Sequence, residues 1–337
     1  MANQKIGKQS YRFEKPTIIH AWASIAGPKE ADGPLKSYFD AISKDSYFGQ
    51  KTWEQGEQYM QQLVLEKLIN KAGINLSEIQ LVLSGDLLNQ CIGSSFALKN
   101  KNVPHLGLYG ACSTMAESLL LGSMIVSGGF GDKVVAMTSS HFASSERQYR
   151  FPLNYGGQRT PTAQWTVTGS GALLLGCTGN GPKITGCTVG TVVDLGVTDA
   201  NNMGAAMAPA AKATILTHFN EFGTTPDDYD LIVTGDLGQT GSELLRTLCM
   251  KDGISIGGKH VDCGTMVFDT NSQDVHSGGS GCGCGAIALC GYLLAKIKAK
   301  KYNKILFCGT GALLSPTSTQ QGLSIPGVCH AIIIEGE

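Results

Sequence analysis

The segment Asp230-Leu231-Ile232-Val233-Thr234-Gly235-Asp236-Leu237 repeats the pattern of Gln80 to Leu87 at a distance of 150 residues. Both are β-branched, apolar runs that end in a turn, as expected of a strand buried on both faces. Lys304 to Thr310 likewise echoes Lys133 to Ser139. An apolar helix of small residues precedes each of these, Ser113 to Ser127 in one case and Gly285 to Lys298 in the other. Two strand–helix–strand units in the same order predict an internal duplication. They also predict an α/β layer structure with mostly parallel sheets. At 337 residues the chain divides into two such halves, 1–180 and 181–337.

Around these units the remaining elements fall into place. Pro16 to His20 reads as a short strand within polar, Gly- and Pro-containing loop over residues 1–50. Between Thr52 and Ala72, Tyr59, Leu63, Leu65, Leu68 and Ile69 recur at near-helical spacing, and Gly73 is a natural stop for that helix. Residues 141–166 read as a long polar connection, followed by a Gly-rich strand from Thr168 to Gly176. The balance of 42% hydrophobic against 16% charged residues fits a compact globule. A net charge of −1, without a basic tail, argues against a general nucleic-acid surface. The eleven cysteines are odd in number and sit in apolar segments, so they read as reduced core thiols rather than a disulfide framework. There is no signal-peptide h-region and no apolar run of ~18 residues, so any membrane role is expected to be peripheral.

The chemistry centres on Gly110-Ala111-Cys112-Ser113-Thr114. A thiol at a helix start feels the positive end of the helix dipole and free backbone N–H groups, which favour the thiolate. That position suits a nucleophile, and equally a pocket floor that holds an anionic ligand. His276 lies between a polar turn and a run of glycines, at a loop-to-helix junction expected to face the seam between the halves. His141, Arg147, Tyr149, Arg150, Tyr155 and Arg159 are clustered in the 141–166 connection and offer cationic and aromatic groups. Asp86 and Asp236 end the repeated strands, placed either to cap turns or to line a pocket. Cys282-Gly283-Cys284 lacks metal-ligand spacing, and the glycines of 278–285 form neither a P-loop nor a dinucleotide fingerprint. Neither a metal nor a cofactor is expected.

Gly110-Ala111-Cys112-Ser113-Thr114-Met115-Ala116 resembles the nucleophile segment of the thiolase-like superfamily. Asp274-Val275-His276-Ser277-Gly278-Gly279 is similar to its Gly-His-Pro-x-Gly segment, with Val275 and Ser277 replacing the flanking Gly and Pro. Phe307-Cys308-Gly309-Thr310-Gly311 resembles the segment that carries a second thiol. The resemblance implies a five-layer αβαβα sandwich of two pseudo-repeated halves with the site where they meet. It also implies a homodimer paired through the first half's sheet edge. Within the superfamily the chain is most similar to the stage V sporulation protein AD family. The likeness is carried by Gly7-Lys8-Gln9-Ser10-Tyr11, Ile25 to Glu30, Ser84 to Gln90, Tyr109 to Thr114, Asp236-Leu237-Gly238 and His276 to Cys284.

This likeness implies a non-catalytic subunit of the SpoVA machinery, peripheral to the spore inner membrane. Its ligand would be dipicolinic acid (pyridine-2,6-dicarboxylate), alone or as its calcium chelate, and its partners other SpoVA membrane proteins. The expected ligand-binding residues are Cys112, His276, Cys308, Arg147, Arg159, His141 and Asp236. A rigid dicarboxylate needs cationic or N–H donors at both ends and flat apolar walls between them. Two alternatives remain: an acyl-CoA-dependent condensing or thiolytic enzyme using Cys112, His276 and Cys308, and a pure scaffold. Against the first, short-chain-priming ketoacyl synthases place a His after the strand that corresponds to Asp230–Thr234, where this chain has Gly235-Asp236.

Overall fold

The computed structural model describes residues 4–149 and 159–337. Ten strands form its frame. Those of the first half are β1 (Ser10–Ala26), β2 (Leu81–Gly85), β3 (His105–Gly107), β4 (Val134–Ser140) and β5 (Gly169–Gly176). Those of the second are β6 (Lys183–Thr188), β7 (Leu231–Thr234), β8 (His260–Asp262), β9 (Lys304–Ala312) and β10 (Gly327–Glu335). They hydrogen-bond in the order β3-β2-β4-β5-β1-β6-β10-β9-β7-β8. This order reads the same from either end when each strand of the first half is exchanged for the one five places later. β1 and β6 pair antiparallel at the centre.

Only the outer strands of each half, β4-β2-β3 and β9-β7-β8, are parallel. The inner pairings are antiparallel, which corrects the expectation of mostly parallel sheets. β4 and β5 pair antiparallel, so β5 returns from the end at which β4 finishes.

The helices supply the other layers. α1 (Trp53–Ala72) covers the outer face of the first half's strands, over a core that includes Met60, Val64, Leu68, Val135 and Leu174. α2 (Thr114–Ser127) lies between the two halves and touches strands of both. Helix α3 (Phe142–Tyr149) forms where the sequence suggested loop. Its buried residues are Ser144, Ser145 and Glu146, polar groups that hide the apolar periodicity by which helices are recognised. α4 (Met203–Phe222) and α5 (Gly238–Lys251) lie on the outside of the second half, over Leu306, Cys308, Cys329 and Ile333. The second central helix starts as α6 (Cys282–Ile287), passes through a π-helical stretch at Ala288–Leu293 and ends as α7 (Leu294–Lys298). The central core between the sheets joins Met115, Leu119, Leu173, Ile287, Phe307 and Ile332. Helix, sheet, two central helices, sheet and helix make the five layers.

The 150-residue offset extends well beyond the strands. α1 and α4 start and stop at the same offset, and both end at a left-handed glycine, Gly73 and Gly223, each with φ of 66°. A capping box follows each, Asn75 with Glu78 and Thr225 with Asp228. Ser84 Oγ meets His105 Nε2 at 2.9 Å, and Thr234 Oγ1 meets His260 Nε2 at the same distance, although these two histidines are 155 rather than 150 residues apart. The predicted strand Pro16–His20 is one part of the longer β1, whose N-terminal portion is masked in sequence by the charged run at Arg12, Glu14 and Lys15.

Candidate functional site

Cys112 sits in a 3-10 turn, Ala111–Ser113, just ahead of α2. Ala111 adopts φ of 51°, an uncommon conformation for a residue with a side chain, and it sets the direction in which Cys112 leaves the turn. Opposite, β9 brings Gly309 and Gly311 against this turn. A Cβ added at Gly311 would lie 2.7 Å from the Gly110 carbonyl and 3.0 Å from the Ser113 nitrogen. One added at Gly309 would lie 2.5 Å from the Ala116 Cβ. Glycine is therefore required for the two halves to close at this seam.

The second half supplies the groups that face the thiol. Cys112 Sγ lies 4.0 Å from Ser280 Oγ. Asp236, fully buried at the end of β7, accepts hydrogen bonds from Ser280 Oγ at 3.1 Å, Gly281 N at 2.9 Å and Thr310 Oγ1 at 2.7 Å. Gln164 Nε2 ties the Asp236 carbonyl at 2.6 Å to that of Gly279 at 2.8 Å. Burial, followed by the neighbouring Asp236 carboxylate, raises the Cys112 thiol well above its ordinary range. This runs against the expectation of a favoured thiolate: desolvation and the facing acid outweigh the helix start. Burial also raises the carboxyl of Asp236.

The cavity beside Cys112 measures about 50 Å³, room for roughly three waters. Its walls include Leu87, Glu146, Tyr149, Thr166, Met203 and Leu314. Tyr149 donates its hydroxyl to the Leu87 carbonyl at 2.8 Å and meets the Tyr109 hydroxyl at 2.6 Å, so the Tyr149 ring is held in place as one wall. A ring-sized ligand enters this space only if side chains such as Met203 and Leu314 move. No Lys, Arg or His is among the described residues of the lining.

The other residues singled out from the sequence lie elsewhere. His276 stands beside Asp274, with Nε2 3.5 Å from Oδ1. His141 is buried and donates Nε2–H to the Ser46 carbonyl at 2.7 Å; burial lowers its pKa. Arg147 pairs with Glu54 and lies over Trp53. Arg159 reaches the Gln164 carbonyl and lies over Trp165, 5.0 Å from the ring centre. Cys308 is wholly buried in the outer core of the second half, with Leu306 and Cys329. Asp86, like Asp236, is buried; it accepts hydrogen bonds from Leu88 N, Ser94 N and Ser94 Oγ. Arg150 and Tyr155 are outside the described residues. The sequence reading missed Ser280, which no local pattern marks, and the wall formed by Met203 and Leu314, which comes from segments distant in the chain. Among the described residues no group of three His, Cys, Asp or Glu is arranged to hold a metal ion, and no helix is long and apolar enough to cross a membrane.

The profile of the family described as Stage V sporulation protein AD (SpoVAD) matches residues 7–335. A protein of that name from Bacillus subtilis (strain 168) is 43% identical over 329 residues, covering 98% of this chain and 97% of its own. The chain belongs to the stage V sporulation protein AD family. Among solved structures, cerulenin-bound OleA of Xanthomonas campestris superposes with a TM-score of 0.61 at 15% identity, covering 95% of this chain and 96% of that one. The 3-oxoacyl-[acyl-carrier-protein] synthase III of Aquifex aeolicus VF5 gives a TM-score of 0.57 at 12% identity, with coverage of 95% and 99%. At such identities the likeness establishes the fold, which is thiolase-like. The family establishes a role in sporulation.

Proposed function

We propose that this chain is a non-catalytic, dipicolinic acid-binding subunit of the spore SpoVA channel machinery. It would lie peripheral to the spore inner membrane and serve calcium dipicolinate uptake in sporulation and release in germination. The observation that carries the non-catalytic part is the state of Cys112. A condensing enzyme needs a thiolate and a proton-transfer partner, and a positioned imidazole contributes typically ~10²–10⁴-fold. Here a buried carboxylate, Asp236, follows β7 and opposes the thiolate. Cys112 then marks the floor of a ligand cavity, the Tyr149 ring offers a flat wall, and Asp236 holds Ser280 toward the thiol.

A homodimer belongs to the same proposal. β3 is the edge strand of the first half, and Leu106 on it is 53% exposed. Ile92, Phe96 and Tyr109, all in segments flanking β2 and β3, are also exposed. An apolar edge of this kind is stabilised by pairing with a second copy.

Calorimetry with dipicolinate, with and without calcium, tests the reading on the wild type and on Tyr149→Ala and Cys112→Ala. Saturable binding that weakens at least tenfold in Tyr149→Ala is expected, from a protein that sediments as a dimer. Absence of saturable binding in the wild type overturns the ligand, and a monomeric mass overturns the dimer. Covalent acylation of Cys112 by acyl-CoA esters, read by mass spectrometry, would reinstate the enzyme.

A further inference from the structure

The strands of both halves begin or end along one transverse row. Val134 is level with Leu175, Gly176 with Ile18, Ile18 with Lys183, Lys183 with Glu335, and Glu335 with Lys304. The segments 128–133, 177–182 and 299–303 therefore lie side by side on one face. β4 and β9 both run away from this face, and their far ends reach the Cys112 seam, so the face lies opposite the cavity.

Two features meet there. Gly128-Gly129-Phe130-Gly131 holds Phe130 86% exposed, with Gly129 at φ of 78° forming the turn. No other large apolar side chain among the described residues stands so far into solvent. The second feature is charge. Between Asp274 and Glu335 the chain has no acidic residue, yet it has Lys296, Lys298, Lys300, Lys301 and Lys304. Lys298 ends α7, Lys300 and Lys301 follow it, and all three are exposed, as is Lys15 at the bend of β1.

Between these lysines the surface is concave. A depression of about 270 Å³ is lined by His20, Trp22, Gly181, Lys298 and Lys300. The Lys298 ammonium lies 5.9 Å from the Trp22 ring centre, and that of Lys71 lies 6.0 Å from it. A second depression, of about 640 Å³, adjoins Phe130 and includes Lys15 and Cys177. The acids of the face include Glu14, Asp132 and Glu337; in addition Glu78 engages Lys133 at 2.6 Å, Asp230 accepts from Asn303 N at 2.6 Å, and Lys304 engages Glu335 at 3.2 Å.

We propose that this face docks on an anionic lipid bilayer, with Phe130 entering the headgroup–acyl boundary and Lys15, Lys298, Lys300 and Lys301 on lipid phosphates. The occupant is argued from charge complementarity and from the form of the patch. An acidic protein segment would be served by lysines alone, whereas a lone aromatic at the tip of a glycine turn, level with a row of lysines, suits a planar interface. Cationic side chains near such a surface each strengthen binding about fivefold, and the attraction falls off within a Debye length. The inference rests on the peripheral-membrane part of the proposed function, not on its ligand. It assigns the membrane side of the molecule and turns the Cys112 cavity away from the bilayer.

Co-sedimentation with vesicles of phosphatidylglycerol and phosphatidylcholine, compared with vesicles of phosphatidylcholine alone, tests it on the full chain. Binding to the anionic vesicles that falls with salt is expected. The triple variant Lys298→Ala, Lys300→Ala, Lys301→Ala should bind on the order of 100-fold more weakly. Phe130→Ser should lose about tenfold. Lys44→Ala with Lys51→Ala, exposed on the other side of the molecule, should retain wild-type binding. Equal binding to both vesicles, no binding to either, or an unaffected triple variant overturns the proposal. So does binding only to membranes that contain protein, which would assign the face to a membrane protein. Dipicolinate calorimetry on the triple variant keeps the readings apart, since its cavity is untouched and its ligand binding should equal that of the wild type.

Discussion

Glu57 and Met207 occupy equivalent positions on α1 and α4, one in each half of the duplication, and their surroundings differ completely. Glu57 is fully buried and accepts hydrogen bonds from Ser139 Oγ at 2.8 Å and Ser144 Oγ at 2.7 Å. Gln61, one turn on, donates to Ser139 Oγ at 2.7 Å and Ser94 Oγ at 3.1 Å, and Ser94 donates to Asp86 at 2.7 Å. At the equivalent positions of the second half Met207 and Ala211 sit within an apolar core. The frame of the two halves has stayed the same, down to the caps, while at this level of the helix the first half carries a polar network and the second an apolar core. Backbone geometry at turns and strand ends tolerates little change, whereas a core accepts any filling that packs and satisfies its polar groups.

The two strand-end aspartates sharpen this contrast. Asp86 is satisfied within its own half, and Asp236 by groups around the seam. Asp86→Ala and Asp236→Ala each strand three buried donors and should cost at least about 3 kcal/mol in urea unfolding. Only Asp236→Asn should lower the Cys112 thiol pKa, because it removes the nearby negative charge. Alkylation of Cys112 by iodoacetamide at fixed pH should therefore speed up in that variant and stay unchanged in Asp86→Asn. An unchanged rate in both would break the link between Asp236 and the thiol.

A second test uses acidity. Burial, then Asp86, pushes the Glu57 carboxyl up to about 8. The folded state thus holds a proton that the unfolded chain releases near its ordinary carboxylate value. Between those values the native state binds more protons, so stability falls as pH rises, by at most about 1.4 kcal/mol per unit. Glu57→Gln should flatten the decline between pH 5 and pH 8, and Met207→Leu should leave it intact. Glu30 and Asp262, each pushed up to about 7 by burial, add a decline of the same sign that survives in both variants. An undiminished slope in Glu57→Gln would remove the first half's network as its source.

The smallest effect probes what the halves share. Gly73 and Gly223 have the same φ, and nothing lies within 4 Å of a Cβ at either. Alanine at each should cost about 1 kcal/mol from backbone strain alone. A difference above roughly 0.5 kcal/mol between them, seen in thermal or urea unfolding, would mean that the caps have diverged as well.

What could be read from the sequence follows the same division. The repeated strands were legible because a near-continuous apolar run that ends in a turn is seldom anything but a buried strand. α4 was not, since its alanines, methionines and internal Pro209 blur any single face. α3 was hidden because its inward groups are serines and a glutamate bonded to the polar network. At the site, Cys112 was legible from its motif and Asp236 from its match to Asp86. The motif puts Cys308 near the site, but strand parity decides otherwise: Leu306 and Cys308 face outward, and Gly309 and Gly311 face the Cys112 turn. The cavity walls come from residues brought together only by the fold.

The long strand β1 has one more consequence. Its Ser10–Arg12 stretch pairs with β6 of the second half, and Ile18–Ala26 pairs with β5 of the first. A cut between residues 180 and 181 would leave β6 with one side bare and its partner on the other fragment. Neither fragment would be an expression unit in its own right. The two halves therefore share a frame and differ in filling, and the strand they share ties them into one folding unit.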